Sequence, residues 1–234
     1  MDVQHALVVG ASSAIGRAIA VELSSLGMSL SLWGRDDDRL RETADACPDP
    51  DRCWTDTVDV TDPAQLREAV DALPARGRLT VAAYAAGLFD WGPADEADPA
   101  AWHDVIAVNL TAAATLTRLT LPALLAAAPS CLLYVGSGAA HRAFPDNAAY
   151  VASKHGLAGL AEAVFLDVRD RDVKVSLISP GLVAAGAGLR SPAGHTRPHE
   201  LLTPADVAAA ARFVVTFPGR GCPTQIRLQP QRTP

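Results

Sequence analysis

The feature that most restricts the fold of this chain is a regular alternation between two hydrophobic periods. Short, nearly continuous apolar runs at residues 6–9, 28–33, 54–58, 79–85, 131–135, 173–178 and 224–228 read as strands. Between them, residues 15–26, 36–46, 63–72, 99–127, 148–169 and 204–216 carry the spacing of helices. Punctuation agrees with these limits. Gly27 is placed to end the first helix, and Thr61-Asp62-Pro63 and Thr203-Pro204 each supply a cap and an early proline. Pro122 falls inside the 99–127 stretch and predicts a kink or break there. Strands that alternate with helices pair in parallel, because each helix serves as the crossover. The expected architecture is therefore α/β: one doubly wound parallel sheet of about seven strands with helices on both faces. A length of 234 residues suits a single such domain spanning 1–234, and no repeat, charge block or linker divides it. The one long irregular stretch is 182–202, with Gly186, Gly188, Pro192, Gly194 and Pro198, and a loop of that length is expected to be functional or mobile.

Composition removes several function classes. The formal charge of −6 gives no general attraction to nucleic acid or to an anionic membrane. The apolar runs are interrupted within about ten residues, short of a bilayer span. The start, Met1-Asp2-Val3-Gln4-His5, lacks the basic and apolar regions of a signal peptide. Cys47, Cys53, Cys131 and Cys222 form no C-x-x-C pair, so reduced thiols in a cytoplasmic protein are expected. Cys47 and Cys53 flank a Pro/Asp-rich loop across which they could meet. His5, His103, His155, His195 and His199 show no metal-ligand spacing, and no metal is expected.

Three groups of residues carry chemistry. Gly10-Ala11-Ser12-Ser13-Ala14-Ile15-Gly16 joins the first strand to the first helix. A glycine-rich turn there lets backbone N–H groups and the helix N-terminus approach a pyrophosphate. Gly34-Arg35 ends the second strand, where an acidic residue would accept from a free ribose 2′-hydroxyl. An arginine instead suits a 2′-phosphate, hence NADP over NAD. Tyr150 and Lys154 stand four apart at the head of a helix and share a face. An ammonium beside the phenol is expected to lower the tyrosine pKa and make Tyr150 a general acid toward a carbonyl oxygen, with the Ser137 hydroxyl holding the same oxygen.

Gly10-x-x-x-Ala14-x-Gly16, Asn109 within Val-Asn-Leu, Ser137 thirteen residues before Tyr150, Tyr-x-x-x-Lys and Pro180-Gly181 occur in that order. In this the sequence resembles the short-chain dehydrogenase/reductase family, over nearly its whole length. The resemblance implies a Rossmann-type domain, a nicotinamide cofactor and hydride transfer to or from a carbonyl. It implies catalysis by Ser137, Tyr150 and Lys154, with Asn109 supporting a proton relay through water. Lys154 would also bond the nicotinamide ribose, and Asp59 the adenine. The implied cofactor contacts are Gly10, Ser12, Ser13, Ile15, Gly16, Arg35, Asp59, Val60, Ala86, Gly87, Asn109, Tyr150, Lys154, Pro180, Gly181 and Val183. Four positions depart from the family's commonest pattern: Val9 stands where a threonine is usual, Ala14 where the middle glycine is, Tyr84-Ala85-Ala86-Gly87 where Asn-Asn-Ala-Gly is, and Ala185 where a threonine often bonds the carboxamide.

On the substrate side, Leu88, Trp91, His141, Arg142, Phe144 and the 182–202 segment are placed by chain position to line a pocket for a small carbonyl or alcohol. The family's habit of pairing its two long helices implies a homodimer or, more often, a homotetramer. The alanine-rich faces at Ala112, Ala113, Ala114, Ala158 and Ala161 are expected to permit the approach. A non-redox member of the same fold, a cofactor-binding sensor or an isomerase, dehydratase or cyclase, is the alternative reading. It draws on the missing asparagine and threonine, and the intact Ser137, Tyr150, Lys154 and Asn109 weigh against it.

Overall fold

The computed structural model describes residues 4–232, so Met1–Val3 of the start discussed above lie outside the described residues. The elements run β1 Gln4–Val9, α1 Ala14–Ser25, β2 Ser29–Gly34, α2 Asp37–Asp45, β3 Cys53–Thr57, α3 Pro63–Ala72, β4 Arg78–Tyr84, α4 Pro99–Ile106, α5 Ala112–Ala126, β5 Ser130–Val135, α6 Ala148–Val168, β6 Val173–Pro180, α7 Pro192–Thr196, α8 Pro204–Thr216 and β7 Gln225–Leu228. Every strand is parallel to its neighbours, and the sheet order is β3-β2-β1-β4-β5-β6-β7. The chain winds outward from β1 in one direction and from β4 in the other. The crevice between their carboxyl ends is the switch point, where α/β folds of this kind bind ligands.

Alternation along each inner strand sends side chains to two cores. One face packs Ala6, Val8, Leu30 and Leu32 against Ile19 and Leu23 of α1 and Val207 and Val214 of α8. The other packs Leu7, Val9, Leu132 and Tyr134 against Leu116 of α5 and Leu157 and Val164 of α6. β3 and β7 are the edges and are only half buried. Helix starts follow the capping chemistry. Ser13, Asp36, Asp62 and Asp98 accept from first-turn N–H groups of α1 to α4, and Thr203 with Asp206 forms a reciprocal capping box on α8.

The structure corrects the reading of four segments. Pro122 does not break α5, which runs through it from Ala112 to Ala126. Its missing N–H would have met the Arg118 carbonyl, and both residues lie on the exposed side, where water can take that acceptor. The interruption falls earlier, as a π-helical turn over Ala107–Thr111 that no proline or glycine announces. The 182–202 segment is not an open loop. Leu182 and Ala184 hydrogen-bond Leu202 at its base, and within it α7 is capped by Ser191. Its glycines allow tight packing: a Cβ at Gly188 would lie 1.9 Å from the Val183 carbonyl oxygen, and one at Gly194 2.2 Å from that of Gly188. Finally, Ala112, Ala113 and Ala161 are buried against this chain's own sheet, so they present no face to a second copy.

Pro99–Ala126 is long and apolar enough to cross a membrane by length and composition alone. Here its Leu116 and Leu124 are core residues. All four cysteines are free thiols. Cys47 and Cys53 do meet, within hydrogen-bond reach, which pushes the Cys53 thiol up and the Cys47 thiol down.

Beneath the sheet, His5 is fully buried between the hydroxyls of Ser29 and Ser31, at 2.8 and 2.9 Å. Arg76 bonds the same Ser31 and pairs with Asp56, which also accepts from the Trp33 indole. Burial, and then the Arg76 charge, lower the His5 pKa to about 4. An unfolded chain takes up this proton near pH 6.5 and the folded one only near 4. The folded state therefore loses stability as pH falls from 6.5 toward 4, by on the order of 3 kcal/mol. Denaturant unfolding at pH 7 and pH 4.5 should show this loss in the wild type and a smaller pH dependence in His5→Asn. Equal pH dependence in the two proteins would assign it to other groups.

Candidate active site

The glycine-rich turn leaves β1 at the switch point. Gly10 has φ +84°, and a Cβ there would lie 2.6 Å from the Ala86 nitrogen. A Cβ at Gly16 would lie 2.1 Å from the Gly10 carbonyl oxygen. Both positions demand glycine, by conformation in the first case and by close backbone approach in both. Ser13 caps α1 by accepting from the Gly16 N–H at 3.0 Å. The N–H groups of Ala14 and Ile15, in the first turn of α1, have no partner within the helix and face the start of the turn. These backbone donors, on a turn held tight by Gly10 and Gly16, fit a pyrophosphate.

Gly34 touches the turn, since a Cβ there would lie 2.7 Å from the Ser12 hydroxyl. Arg35 follows, exposed and without an ion pair among the described residues; Asp37 and Asp38 pair with Arg41 instead. Asp59 is exposed beyond β3 and accepts from the Thr61 N–H and hydroxyl, at 2.9 and 2.7 Å. Those bonds, with the Arg35 charge nearby, hold its carboxyl below the usual range, and Val60 beside it is buried. Sequence reasoning missed Arg39, which joins Ser12, Ser13 and Arg17 around a cleft of about 410 Å³ between α1, α2 and α8. Its signal was present in the helical spacing from Arg35.

On the other side of the switch point, Ala86 and Gly87 follow β4. The Asn109 carboxamide is fully buried inside the π turn. Its Oδ1 accepts from the Leu88 N–H at 2.7 Å, and its Nδ2 donates to the Leu88 carbonyl at 2.9 Å and to the Ser153 hydroxyl at 3.0 Å. Asn109 thus fastens the segment after β4 to α6, which carries Tyr150 and Lys154. Ser153 completes this junction and was also missed.

Ser137 follows β5, and Tyr150 lies in the first turn of α6 with Lys154 one turn on. Ser137 hydrogen-bonds the Tyr150 side chain. Lys154 is buried, donates from Nζ to the Val135 carbonyl at 3.0 Å, and sits 5.7 Å from the centre of the Tyr150 ring. The expected lowering of the tyrosine is not what this arrangement produces. Burial raises the Tyr150 phenol, the Ser137 hydrogen bond opposes it, and the net shift is upward. The perturbed cation is Lys154 itself, lowered to about 8 by burial. It has no carboxylate partner among the described residues, and a Cβ at Gly87 would lie 3.7 Å from its Nζ. A buried ammonium with one protein acceptor fits a ribose hydroxyl pair as its missing partners.

Pro180 ends β6, the Gly181 N–H bonds the Leu228 carbonyl, and Val183 is buried in a bridge to Leu202. Of the pocket candidates, Leu88 is committed to Asn109. His141 bonds Ser179 and Arg227, both at 3.0 Å, and faces β6 and β7. Arg142 stacks over Phe144 at 4.7 Å. Trp91 is 57% exposed beside Phe89. No cluster of three or more metal-binding side chains exists among the described residues.

The profile of the family described as short chain dehydrogenase matches residues 4–193. The chain belongs to the short-chain dehydrogenase family. It is 29% identical to sulfoacetaldehyde reductase 2 of Chromohalobacter salexigens, over 97% of this chain and 94% of that one. An alcohol dehydrogenase from the archaeon Thermococcus sibiricus, crystallised with 5-hydroxy-NADP, superposes with a TM-score of 0.89 at 25% identity and covers 99% of both chains. A metagenomic short-chain oxidoreductase solved with NADP gives 0.82 at 30% identity over 98% of both.

Within a short-chain dehydrogenase the departures noted above acquire physical explanations. Ala14 opens α1 with helical geometry, where a Cβ is ordinary, so the glycine it replaces is not required. Tyr84, in place of asparagine, is buried and donates its hydroxyl to the Val108 carbonyl. That bond reaches the residue next to Asn109 and ties the end of β4 to the π turn. Ala185 packs against the hydrophobic core. Val9 is fully buried in the apolar core on the α5 and α6 face, where a valine needs no hydrogen-bond partner.

With only two lysines in the chain, Lys154 and Lys174, the Lys154 Cε resonance can be assigned with Lys174→Arg. Its titration should show a midpoint near 8. A midpoint at the ordinary lysine value would mean that water reaches the ammonium.

Proposed function

We propose that this chain is an NADP(H)-dependent oxidoreductase that reduces a carbonyl to an alcohol, or the reverse, with Tyr150 as general acid and base. The observation that carries this reading is the convergence of Ser137, Tyr150 and a buried, carboxylate-free Lys154 beside the glycine-rich turn. The cradle at Gly10, Ser12, Ser13, Ile15 and Gly16 would hold the pyrophosphate. Arg35 would hold a 2′-phosphate and Asp59 with Val60 the adenine. Ala86, Gly87, Asn109, Tyr150, Lys154, Pro180, Gly181 and Val183 would enclose the nicotinamide half. The bound cofactor supplies or accepts a hydride.

The protein's own part is to place an oxygen and a proton. The Ser137 hydroxyl donates to the carbonyl oxygen and polarises it. As negative charge develops there, the Tyr150 phenol gives up its proton to an oxygen far more basic than a phenolate. The upward shift of Tyr150 keeps that proton on the phenol across the neutral range, which suits reduction. In the opposite direction the Lys154 charge favours the phenolate that must form. Asn109 keeps α6 in register with the segment after β4 and so sets the position of both groups. Its support of a water relay belongs to this same reading.

The unit doing this chemistry is taken as residues 1–234, with 182–202 on the substrate side. Assembly as a homodimer or homotetramer is supported by Leu166, which stands 56% exposed on α6.

Tyr150→Phe keeps the ring and removes only the proton. NADPH-dependent ketone reduction should fall by on the order of 10²-fold or more, with NADPH affinity close to wild type. Wild-type rates in this variant would refute the mechanism. Arg35→Ala should weaken NADPH binding by about tenfold and leave NADH nearly unaffected, as measured by nicotinamide fluorescence titration. Equal loss for both cofactors would make Arg35 structural.

A further inference from the structure

Seven large apolar side chains stand exposed among the described residues, and four of them, Trp91, Phe144, Leu182 and Leu189, lie in segments that follow β4, β5 and β6. These segments all leave the sheet at its carboxyl edge, and those after β4 and β5 lead to Phe89 and Tyr150. The strongest feature among them is an aromatic chain that starts at the phenol itself. The Phe89 ring lies 4.8 Å from the Tyr150 ring, centre to centre and edge-on at 70°. Trp91 lies 5.9 Å beyond Phe89, again edge-on at 66°. Trp91 then opens to solvent, 57% exposed.

This chain is clamped on both sides. Before it, Leu88 is held by two hydrogen bonds to the buried Asn109. After it, the Gly92 N–H donates to the Asp146 carbonyl at 2.9 Å. Asp146 has φ +59°, a left-handed conformation that residues other than glycine seldom adopt. The backbone thus accepts strain in the segment that leads into α6, at the residue whose carbonyl anchors Gly92. A tryptophan fixed in place and left open, two ring contacts from a proton donor, is a surface built for another ring.

Resting on the carbonyl-reductase reading above, we infer that the site prefers aryl carbonyl compounds: the oxygen reaches Ser137 and Tyr150 while the attached planar ring lies along Phe89 and Trp91. The quadrupoles of edge-on rings reward a π face over a saturated ring of the same size, which gains only from burial.

Acetophenone and cyclohexyl methyl ketone test this, because they differ in the ring's π system while carbon number and carbonyl placement are the same. With NADPH, the ratio of kcat/KM for the aryl over the cyclohexyl ketone should fall about three- to tenfold in Trp91→Ala, chiefly through the aryl KM. The cyclohexyl ketone, which loses only its burial against the indole, should lose less than the aryl ketone, and Trp91→Phe should retain most of the preference. Without turnover, acetophenone should saturably quench indole emission in the wild type and not in Trp91→Phe. Turnover with an unchanged ratio in Trp91→Ala, or equal losses on both ketones, overturns the inference and leaves the reductase reading standing. Saturable quenching at Trp91 with neither ketone reduced overturns the reductase reading and leaves the aryl site standing. Trp91 emission that answers to protein dilution and not to ketone assigns this face to a second copy and overturns the inference.

Discussion

The buried Asn109 carboxamide is the interaction on which the site depends. It joins three segments that are distant in sequence: the turn after β4, the π turn between α4 and α5, and the first turns of α6. The carboxamide itself is fully buried, and an unmet amide there would cost about 1–3 kcal/mol. The π turn is the local deformation that goes with this arrangement, and such turns recur at functional positions. Tyr84 reinforces the same junction by bonding Val108. Rigid placement of Tyr150 therefore begins with a residue that need not touch a substrate.

Burial sets the electrostatics of Tyr150 and Lys154. Lys154 lies inside the protein with one carbonyl acceptor and no counter-ion among the described residues, so its ammonium is destabilised toward the neutral range. The phenol above it is also withdrawn from water, and withdrawal raises it more than the Ser137 hydrogen bond lowers it. Two groups whose ordinary pKa values are nearly equal are thus displaced in opposite directions. That leaves a neutral acid beside a loosely held proton and cation, an arrangement suited to passing a proton in either direction.

The cofactor side rests on backbone approach. Gly10 and Gly16 bring the turn against Ala86 and against itself at distances no side chain permits. The charges proposed to decide cofactor choice are left at the surface, where Asp37 and Asp38 pair with Arg41 and leave Arg35 without an ion pair among the described residues. A cleft between Ser12 and Arg39 extends the same basic margin.

Hydrophobic period, caps and glycine positions by themselves determined the parallel sheet, its seven strands and the order of helices around it, because these are local consequences of which residues can be buried and which turns can be made. The motif residues Gly10, Gly16, Ser137, Tyr150 and Lys154 were legible for the same reason, since each sits at a fixed offset from a strand end or along one helix turn. Three matters were decided only by tertiary structure. The sign of the Tyr150 shift depends on how much water the whole fold removes, which a spacing of four residues does not contain. The π turn at Asn109 arises from bonds to Leu88 and Ser153, 21 and 44 residues away. The compact folding of 182–202 comes from glycine contacts with backbone that sequence reading leaves unpaired. Local propensity acts over a few residues; desolvation and close packing sum over the whole fold, and they set the chemistry here.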